Sequence, residues 1–495
     1  MRRLAFAIAL LAPPVGVLAD APLPLVPAPR SLVRRPGVAC ASNVIVRTDA
    51  ALPRDGYRLA IDGRGATIAA ADAAGVFYAR QTLAQLPWPW PCLEVEDAPA
   101  FRWRGLHLDE SRHFFGKDAV KAFIDKMAAH KLNVFHWHLT DDQGWRIDVP
   151  GYPELVKYGA VRSASPRRGT HPSRGTVAEN ADALDGKRYG PYWYSEDDLR
   201  EIVAYAAERH VKIVPEIELP GHVYAALAAY PRFACFPENL AARDPRTIWG
   251  IEKDVLCIGN GEAIAFMENV LDYVCRIFPG EFVHVGGDEC PPDRWESCPK
   301  CRAFREANGL SGAAAQQAWV TRHFAEFLAE RGKRAVGWDE CLAGDVPRSV
   351  VGMCWRDPGC VGAGQAILPP EEALRRGHEL VMTPNSYCYL DYGQGLEDDP
   401  LQYARRTLTL ERAYGFDPCA GIPAELRGRV LGGQGNNWTE YTWDIRELDR
   451  KVWPRAAALA EVLWTYPDPG KRDFSDFLRR ATQSGSTRKS WGGPF

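Results

Sequence analysis

Glu281-Phe-Val-His-Val-Gly-Gly-Asp-Glu-Cys290 joins a short apolar run to a glycine pair and two adjacent acids. Phe282 to Val285 suit a buried strand, and Gly286-Gly287 frees the backbone where that strand stops. Consecutive side chains on a strand point to opposite faces. Asp288 and Glu289 can therefore reach one cavity only if the strand ends beneath them, which the glycines allow. Two carboxylates at a strand end, held in different surroundings, are the raw material for an acid and a helper. Read alone, the stretch is better explained by a solvated acidic turn. The rest of the chain decides between the two.

On both sides the chain alternates strand and helix. Arg104–Asp109 and Leu132–Leu139 read as strands, separated by a helix over Lys117–His130 with Val120, Phe123, Ile124 and Met127 on one face. A long loop rich in Gly, Ser, Arg and Pro runs to about Tyr194. Ser195-Glu-Asp-Asp198 then reads as a capping box opening a helix to His210. Val211–Ile217 is the third strand and Ala263–Phe278 the next helix. Phe282–Val285 is the fourth strand, followed by a helix over Ala313–Arg331. Arg334–Trp338, Val350–Trp355, Glu379–Thr383 and Arg429–Gly433 complete eight strands. A helix over Pro370–Arg376 precedes the seventh, and one helix from Asp444 to Trp464 closes the series. Eight such units predict an α/β chain folded as a (β/α)₈ TIM barrel, residues 98–480. Ahead of it, residues 20–97 read as a small α/β accessory domain. Its strands are Asn43–Arg47, Tyr57–Asp62 and Ala66–Ala70, its helix spans Ala71–Leu86, and it ends in the proline-rich linker Pro87–Pro91. Residues 481–495 form a tail.

The 495 residues suit one large domain and one small one. Apolar content of 46% and charged content of 25% are those of a globular chain. A net charge of −3 with no long basic run argues against a nucleic-acid partner. Arg2-Arg3, the apolar run Leu4–Ala12 and Val17-Leu-Ala19 have the layout of a cleavable secretory signal over residues 1–19, implying a periplasmic or secreted protein. No other run is long enough to span a membrane. The 13 cysteines leave at least one unpaired. Cys290, Cys298 and Cys301 cluster, with Cys298-Pro-Lys-Cys301 a CxxC, but a zinc knuckle needs a fourth ligand at matching spacing and none is evident, which favours a loop disulfide or plain thiols over a metal. A loop disulfide, plain thiols, and pairing of Cys235 with Cys257 all stay open.

In such barrels the site is built where strands end. Asp109, Arg112 and His113 follow the first strand; His136, His138, Asp141 and Asp142 lie at the end of the second; Glu216, Glu218 and His222 at the third. Asp288 and Glu289 follow the fourth, Trp338, Asp339 and Glu340 the fifth, and Trp355 the sixth. Tyr389 and Asp391 come after the seventh, Trp438 and Glu440 after the eighth. Any one tryptophan is by default a core residue, and Arg112 could merely pair with Asp109. Eight strands ending alike is hard to explain as packing. Indole faces stack on sugar C–H faces, and carboxylates with arginine bind hydroxyls. His136 and His138, two apart on a strand, also admit a metal-dependent hydrolase, but strands five to eight offer Trp, Tyr and acids instead of further ligands. Both histidines are better read as hydrogen-bonding pillars under the site.

These stretches resemble the family 20 glycoside hydrolases, the β-N-acetylhexosaminidases. The resemblance rests on Arg104–His113, His136–Trp145, Val214–His222, His284–Glu289, Gly337–Glu340, Tyr389–Asp391, Trp438–Glu440 and Trp453–Ala457, in that order. It implies exo action on terminal β-linked GlcNAc or GalNAc of oligosaccharides or glycoconjugates, with retention and no cofactor or metal. The substrate's own acetamido oxygen would attack C1, giving an oxazolinium. By similarity Glu289 is the general acid and Asp288 holds the acetamido N–H, its charge helping to raise the pKa of Glu289. Tyr389 holds the acetamido oxygen, and Asp141 with His222 forms a relay to Glu289. Arg112 binds the 3- and 4-hydroxyls, Asp391 and Glu440 the 4- and 6-hydroxyls, and Trp338, Trp355 and Trp438 wall the pocket. Gly435-Asn-Asn437 departs from the more apolar lead-in common in the family, and Asn437-Trp-Thr439 is a glycosylation sequon buried in the expected site. The segment Asp357–Pro370 reads as an enlarged loop near the entrance. A sugar-binding protein that has lost catalysis is the rival class, and the intact Asp288-Glu289 pair argues against it.

Overall fold

The computed structural model describes residues 23–173, 175–357, 368–395 and 406–483. The leader over residues 1–19, most of the segment Asp357–Pro370 and the tail beyond residue 483 lie outside them. The chain divides into two compact units.

The first unit holds residues up to Ala98 together with the segment from Asp473. Its five-stranded sheet has the order Ser31–Val38, Pro91–Asp97, Tyr57–Asp62, Gly65–Ala70, Val44–Thr48. All neighbours are antiparallel except the last two strands, which are parallel. Tyr57, Leu59 and Ile61 point inward in strict alternation. The helix Ala73–Gln85 begins at Asp72, whose carboxylate accepts the Gly75 N–H at 2.8 Å. Two strands differ from the sequence reading. The linker does not end the domain but enters a strand at Pro91, a position where the missing N–H is tolerated. Ser31–Val38 is interrupted by Arg34-Arg35-Pro36-Gly37, which hides its alternation. The helix Phe474–Gln483 also belongs to this unit rather than to a barrel extending to residue 480, and Arg480 Nη1 donates to Leu25 O at 2.7 Å.

The second unit is a closed barrel of eight parallel strands, Trp103–Asp109, Val134–His138, Lys212–Glu216, Phe282–His284, Arg334–Trp338, Val351–Cys354, Glu379–Met382 and Val430–Gly435. Each neighbours the next in sequence, and the last closes on the first. The strands read as near-continuous apolar runs because both faces are buried. Trp103, Val134, Val214, Val336, Val351, Val381 and Leu431 fill the floor of the barrel. One inward position further along, the filling turns polar, with His107, His136, Glu216, His284 and Gln434, all fully buried. Helices Lys117–Ala129, Glu196–Ala207, Gly261–Ile277 and Ala313–Ala329 follow the predicted pattern. The Ser195–Asp198 capping box is formed in both directions. The closing helix is two, Ile445–Val452 and Arg455–Thr465, because Pro454 lacks the N–H that would carry the ladder on.

Candidate active site

The glycine pair ends the fourth strand as the sequence requires. Gly286 and Gly287 have φ of 61° and 97°. A Cβ at Gly286 would lie 1.7 Å from Glu218 Oε2, and one at Gly287 2.1 Å from Cys341 Sγ. Only glycine fits either position. The turn sets the next two side chains apart. Asp288 is 13% exposed and Glu289 34%, so the first is sunk in the site and the second stands at its rim. Glu289 itself has φ of 45°, a left-handed conformation that costs energy for a residue with a Cβ. Its N–H donates to Glu340 Oε1 at 3.3 Å. The Glu340 carboxylate also accepts the Trp355 indole N–H at 3.2 Å and pairs with Arg356.

Asp288 Oδ1 is buried with no hydrogen-bond partner among the described residues. Burial first, then the charges of Glu289, Glu216 and Asp141, push its carboxyl up to about 7 against the pull of His222.

His222, on the loop after the third strand and also left-handed at φ 50°, faces both acids. Its Nε2 lies 3.6 Å from Glu289 Oε2 and 3.8 Å from Asp288 Oδ2. Its Nδ1 is 3.0 Å from Asp142 Oδ2 and 3.4 Å from Asp141 Oδ1. Burial opposes a charge on this ring, but the two aspartates hold its pKa well above the usual histidine value. Both aspartates thus face His222: Asp142 makes the shorter contact, while Asp141 is also engaged by Arg112 Nη2 at 2.7 Å and His138 Nε2 at 3.3 Å.

Arg112 is held from every side. Its Nη1 is 3.3 Å from Asp109 Oδ2, its Nε donates to Gln143 Oε1 at 2.9 Å, and its guanidinium lies 5.1 Å from the Trp438 ring centre. Arg162, itself buried, donates to the Arg112 carbonyl at 2.7 Å and to the Gln143 carbonyl at 3.2 Å. Asp109 also accepts from His138 at 3.1 Å and from the Thr439 hydroxyl at 3.0 Å. Burial would raise the Asp109 carboxyl, yet Arg112 and His138 hold it well below the usual range.

Below these groups Glu216 is 3.0 Å from His136 Nε2 and 2.8 Å from His284 Nδ1, and accepts the Trp338 indole N–H at 2.9 Å. His136 and His138 are thus pillars under the site, as the sequence implied. The walls are aromatic. Trp338 and Trp438 lie 5.7 Å apart, Trp438 and Tyr389 6.4 Å, and Trp355 stacks on Tyr389 at 6.2 Å.

Tyr389 and Asp391 follow the seventh strand. Arg455, from the Trp453-Pro-Arg455 stretch, donates to Leu390 O at 2.6 Å and Tyr392 O at 2.9 Å and so fixes their loop. Asp391 Oδ1 is a second buried acceptor with no partner among the described residues. Burial, with the Glu440 charge next, pushes its carboxyl up to about 7. Burial likewise raises Glu440, against the pull of Arg112. Asn437 is fully buried, with neither side-chain atom partnered among the described residues, which leaves the sequon inside the fold. All eleven residues expected in the site lie at the strand ends or on the loops that follow them, at one end of the barrel. Sequence reasoning missed the supporting roles of Asp142, Arg162, Glu340 and Arg455. Asp142 and Glu340 were visible only as acids at strand ends, and Arg455 as a lone cation opening an otherwise apolar helix.

Cys235 and Cys257 lie beside the CxxC in space, and all four cysteines are free thiols, one of the alternatives the sequence leaves open.

Known proteins agree with this architecture. The model of the glycosyl hydrolase family 20 catalytic domain matches residues 101–467, and that of the family's domain 2 matches residues 30–98. A β-hexosaminidase of Porphyromonas gingivalis is 38% identical over 456 residues, 88% of this chain and 54% of that protein. The chain thus spans about half the length of that relative. One from Akkermansia muciniphila is 35% identical over 87% of this chain and 83% of its own length. Among solved structures, a β-N-acetylhexosaminidase superposes with a TM-score of 0.82 at 31% identity, covering 94% of this chain and 95% of that one. A Streptomyces plicatus β-hexosaminidase mutant in complex with its product GlcNAc gives 0.75 at 28% identity, over 96% and 98%. The chain belongs to glycosyl hydrolase family 20 and is a glycoside hydrolase, with that family's catalytic domain and domain 2 in one polypeptide.

Proposed function

We propose that the protein is an exo-acting β-N-acetylhexosaminidase that removes terminal β-linked GlcNAc or GalNAc with retention, using the substrate's acetamido group as nucleophile. The observation that carries the reading is the buried, unpartnered Oδ1 of Asp288 beside the more exposed Glu289. A buried acceptor without a donor is costly to maintain, and an acetamido N–H supplies the missing partner. Glu289, at the rim, protonates the glycosidic oxygen as the bond to C1 breaks. The acetamido oxygen forms the new bond to C1, and Asp288 stabilises the positive charge that reaches the amide. Water then attacks C1, Glu289 recovers its proton from it, and the ring opens. Tyr389 holds the acetamido oxygen. Asp142 and Asp141 keep His222 charged and facing both acids. Arg112 takes the 3- and 4-hydroxyls and Asp391 with Glu440 the 4- and 6-hydroxyls, while Trp338, Trp355 and Trp438 enclose the ring. The arginine and apolar leader supports export to the periplasm or medium.

The test compares an aryl β-N-acetylglucosaminide with the matching aryl β-glucoside. Fast release from the first and almost none from the second is expected. Similar rates on both would require a protein nucleophile and sink the substrate-assisted route.

A further inference from the structure

Away from the sugar pocket, four cysteines from distant parts of the chain meet. Cys235 and Cys257 stand side by side because Ala234 and Leu256 form an antiparallel bridge and Cys257 N donates to Phe233 O at 2.9 Å. Cys298 caps the helix Pro299–Ala307, and Cys301 lies in its first turn. The Sγ atoms of Cys235 and Cys301 are 3.7 Å apart, those of Cys257 and Cys298 3.8 Å, and those of Cys257 and Cys301 3.8 Å. All four sulfurs fall within 4.8 Å of one another. A disulfide needs about 2.05 Å between sulfurs. A tetrahedron of thiolates around zinc, with Zn–S of about 2.3 Å, needs sulfur–sulfur edges of about 3.8 Å. The observed spacings fit the second.

We propose that Cys235, Cys257, Cys298 and Cys301 bind one structural zinc ion. Cys257, Cys298 and Cys301 are buried and Cys235 is partly buried, which suits a four-coordinate site shielded on most sides rather than a catalytic one with an open position. Arg305 Nη1 donates to Gln316 Oε1 at 2.9 Å, and Gln316 Nε2 is buried with no hydrogen-bond partner among the described residues. Gly259 approaches so closely that a Cβ there would meet the Lys300 carbonyl carbon at 2.2 Å.

The site also has a place in the machinery. Cys235 and Cys257 lie on the long loop after the third strand, which carries His222. Cys298 and Cys301 lie on the loop after the fourth, which carries Asp288 and Glu289. Leu256 N donates to Pro220 O at 3.0 Å, two residues before His222, and the Trp295 indole donates to Leu256 O at 2.9 Å. Zinc would therefore rivet together the two loops whose side chains meet at the acid pair.

The experiment is metal analysis of the full chain purified without chelator or thiol reagent. About one zinc per chain is expected, retained through dialysis and released only when a mercurial titrates the thiols. Exchange with Co²⁺ should give the thiolate charge-transfer bands of a tetrahedral sulfur site. Cys235→Ser, at the least buried ligand, should lose the zinc and lower the Tm. Cys275→Ser, a cysteine outside the cluster, should keep both. Less than about a tenth of a zinc per chain, before and after refolding with Zn²⁺, would overturn the proposal. So would non-reducing peptide maps that recover the four cysteines as two disulfides. Neither result bears on the glycosidase reading, which the paired aryl glycosides test separately.

Discussion

The pocket has two polar sides built on opposite plans. Around Arg112 every charge is answered: Asp109, Asp141 and Gln143 surround the guanidinium, and Arg162 secures its loop. Around Asp288 and Asp391 the carboxylates are left short of donors, and both are pushed up to about 7. The first side is finished before substrate arrives and contributes to the stability of the fold. The second holds buried acceptors with no donor among the described residues, as expected where stability is traded for function.

Four substitutions probe that contrast. Glu289→Gln removes the proton donor and should lower kcat by about 10³-fold or more on substrates with poor leaving groups, read by steady-state rates. Asp288→Asn should lower kcat/KM by about 10²–10³-fold on the N-acetylglucosaminide, because the charge on the acetamido group loses its counter-ion. In the parent, kcat/KM should fall as pH drops below about 7, where Asp288 takes up its proton, and this limb should vanish in the variant.

The same variant should be more stable. A carboxyl with a raised folded pKa holds its proton more tightly in the fold than in the unfolded chain. Its cost is absent below the ordinary value of 3.8, grows as pH rises, and is full above about 7. Asp288→Asn should therefore gain up to about 4 kcal/mol at pH 8 and almost nothing at pH 4, measured by denaturant titration. On the finished side the sign reverses. Arg112→Lys should raise KM about tenfold and cost about 2 kcal/mol, since lysine cannot span Asp109, Asp141 and Gln143 together. The smallest effect is expected for Asp391→Asn, a KM increase of a few fold with a modest gain in Tm at neutral pH. A loss of stability there would break the contrast.

The sequence made the barrel legible because its strands are unbroken apolar runs ending in polar residues, and those ends are the site. Ser31–Val38 was lost because Arg34-Arg35-Pro36-Gly37 masks the alternation, and Pro91–Asp97 because a proline cluster reads as a linker. Pro454 divided a helix whose apolar pattern runs straight through it. The residues proposed to bind the sugar sit next to strands and could be named. Asp142, Glu340 and Arg162 act by holding other side chains, a relation that exists only once the chain is folded. The cysteines show the same limit: Cys235 and Cys257 are far from the CxxC in sequence and within sulfur–sulfur contact of it in space.

The helix Phe474–Gln483 completes a unit that otherwise ends at Ala98. In topological order the catalytic barrel is thus a guest inserted into the smaller unit. On a ribosome the barrel can mature while its host still waits for its last helix, whose Arg480 docks on Leu25. A stop codon after the barrel would therefore injure not the catalytic domain it follows but the one made first.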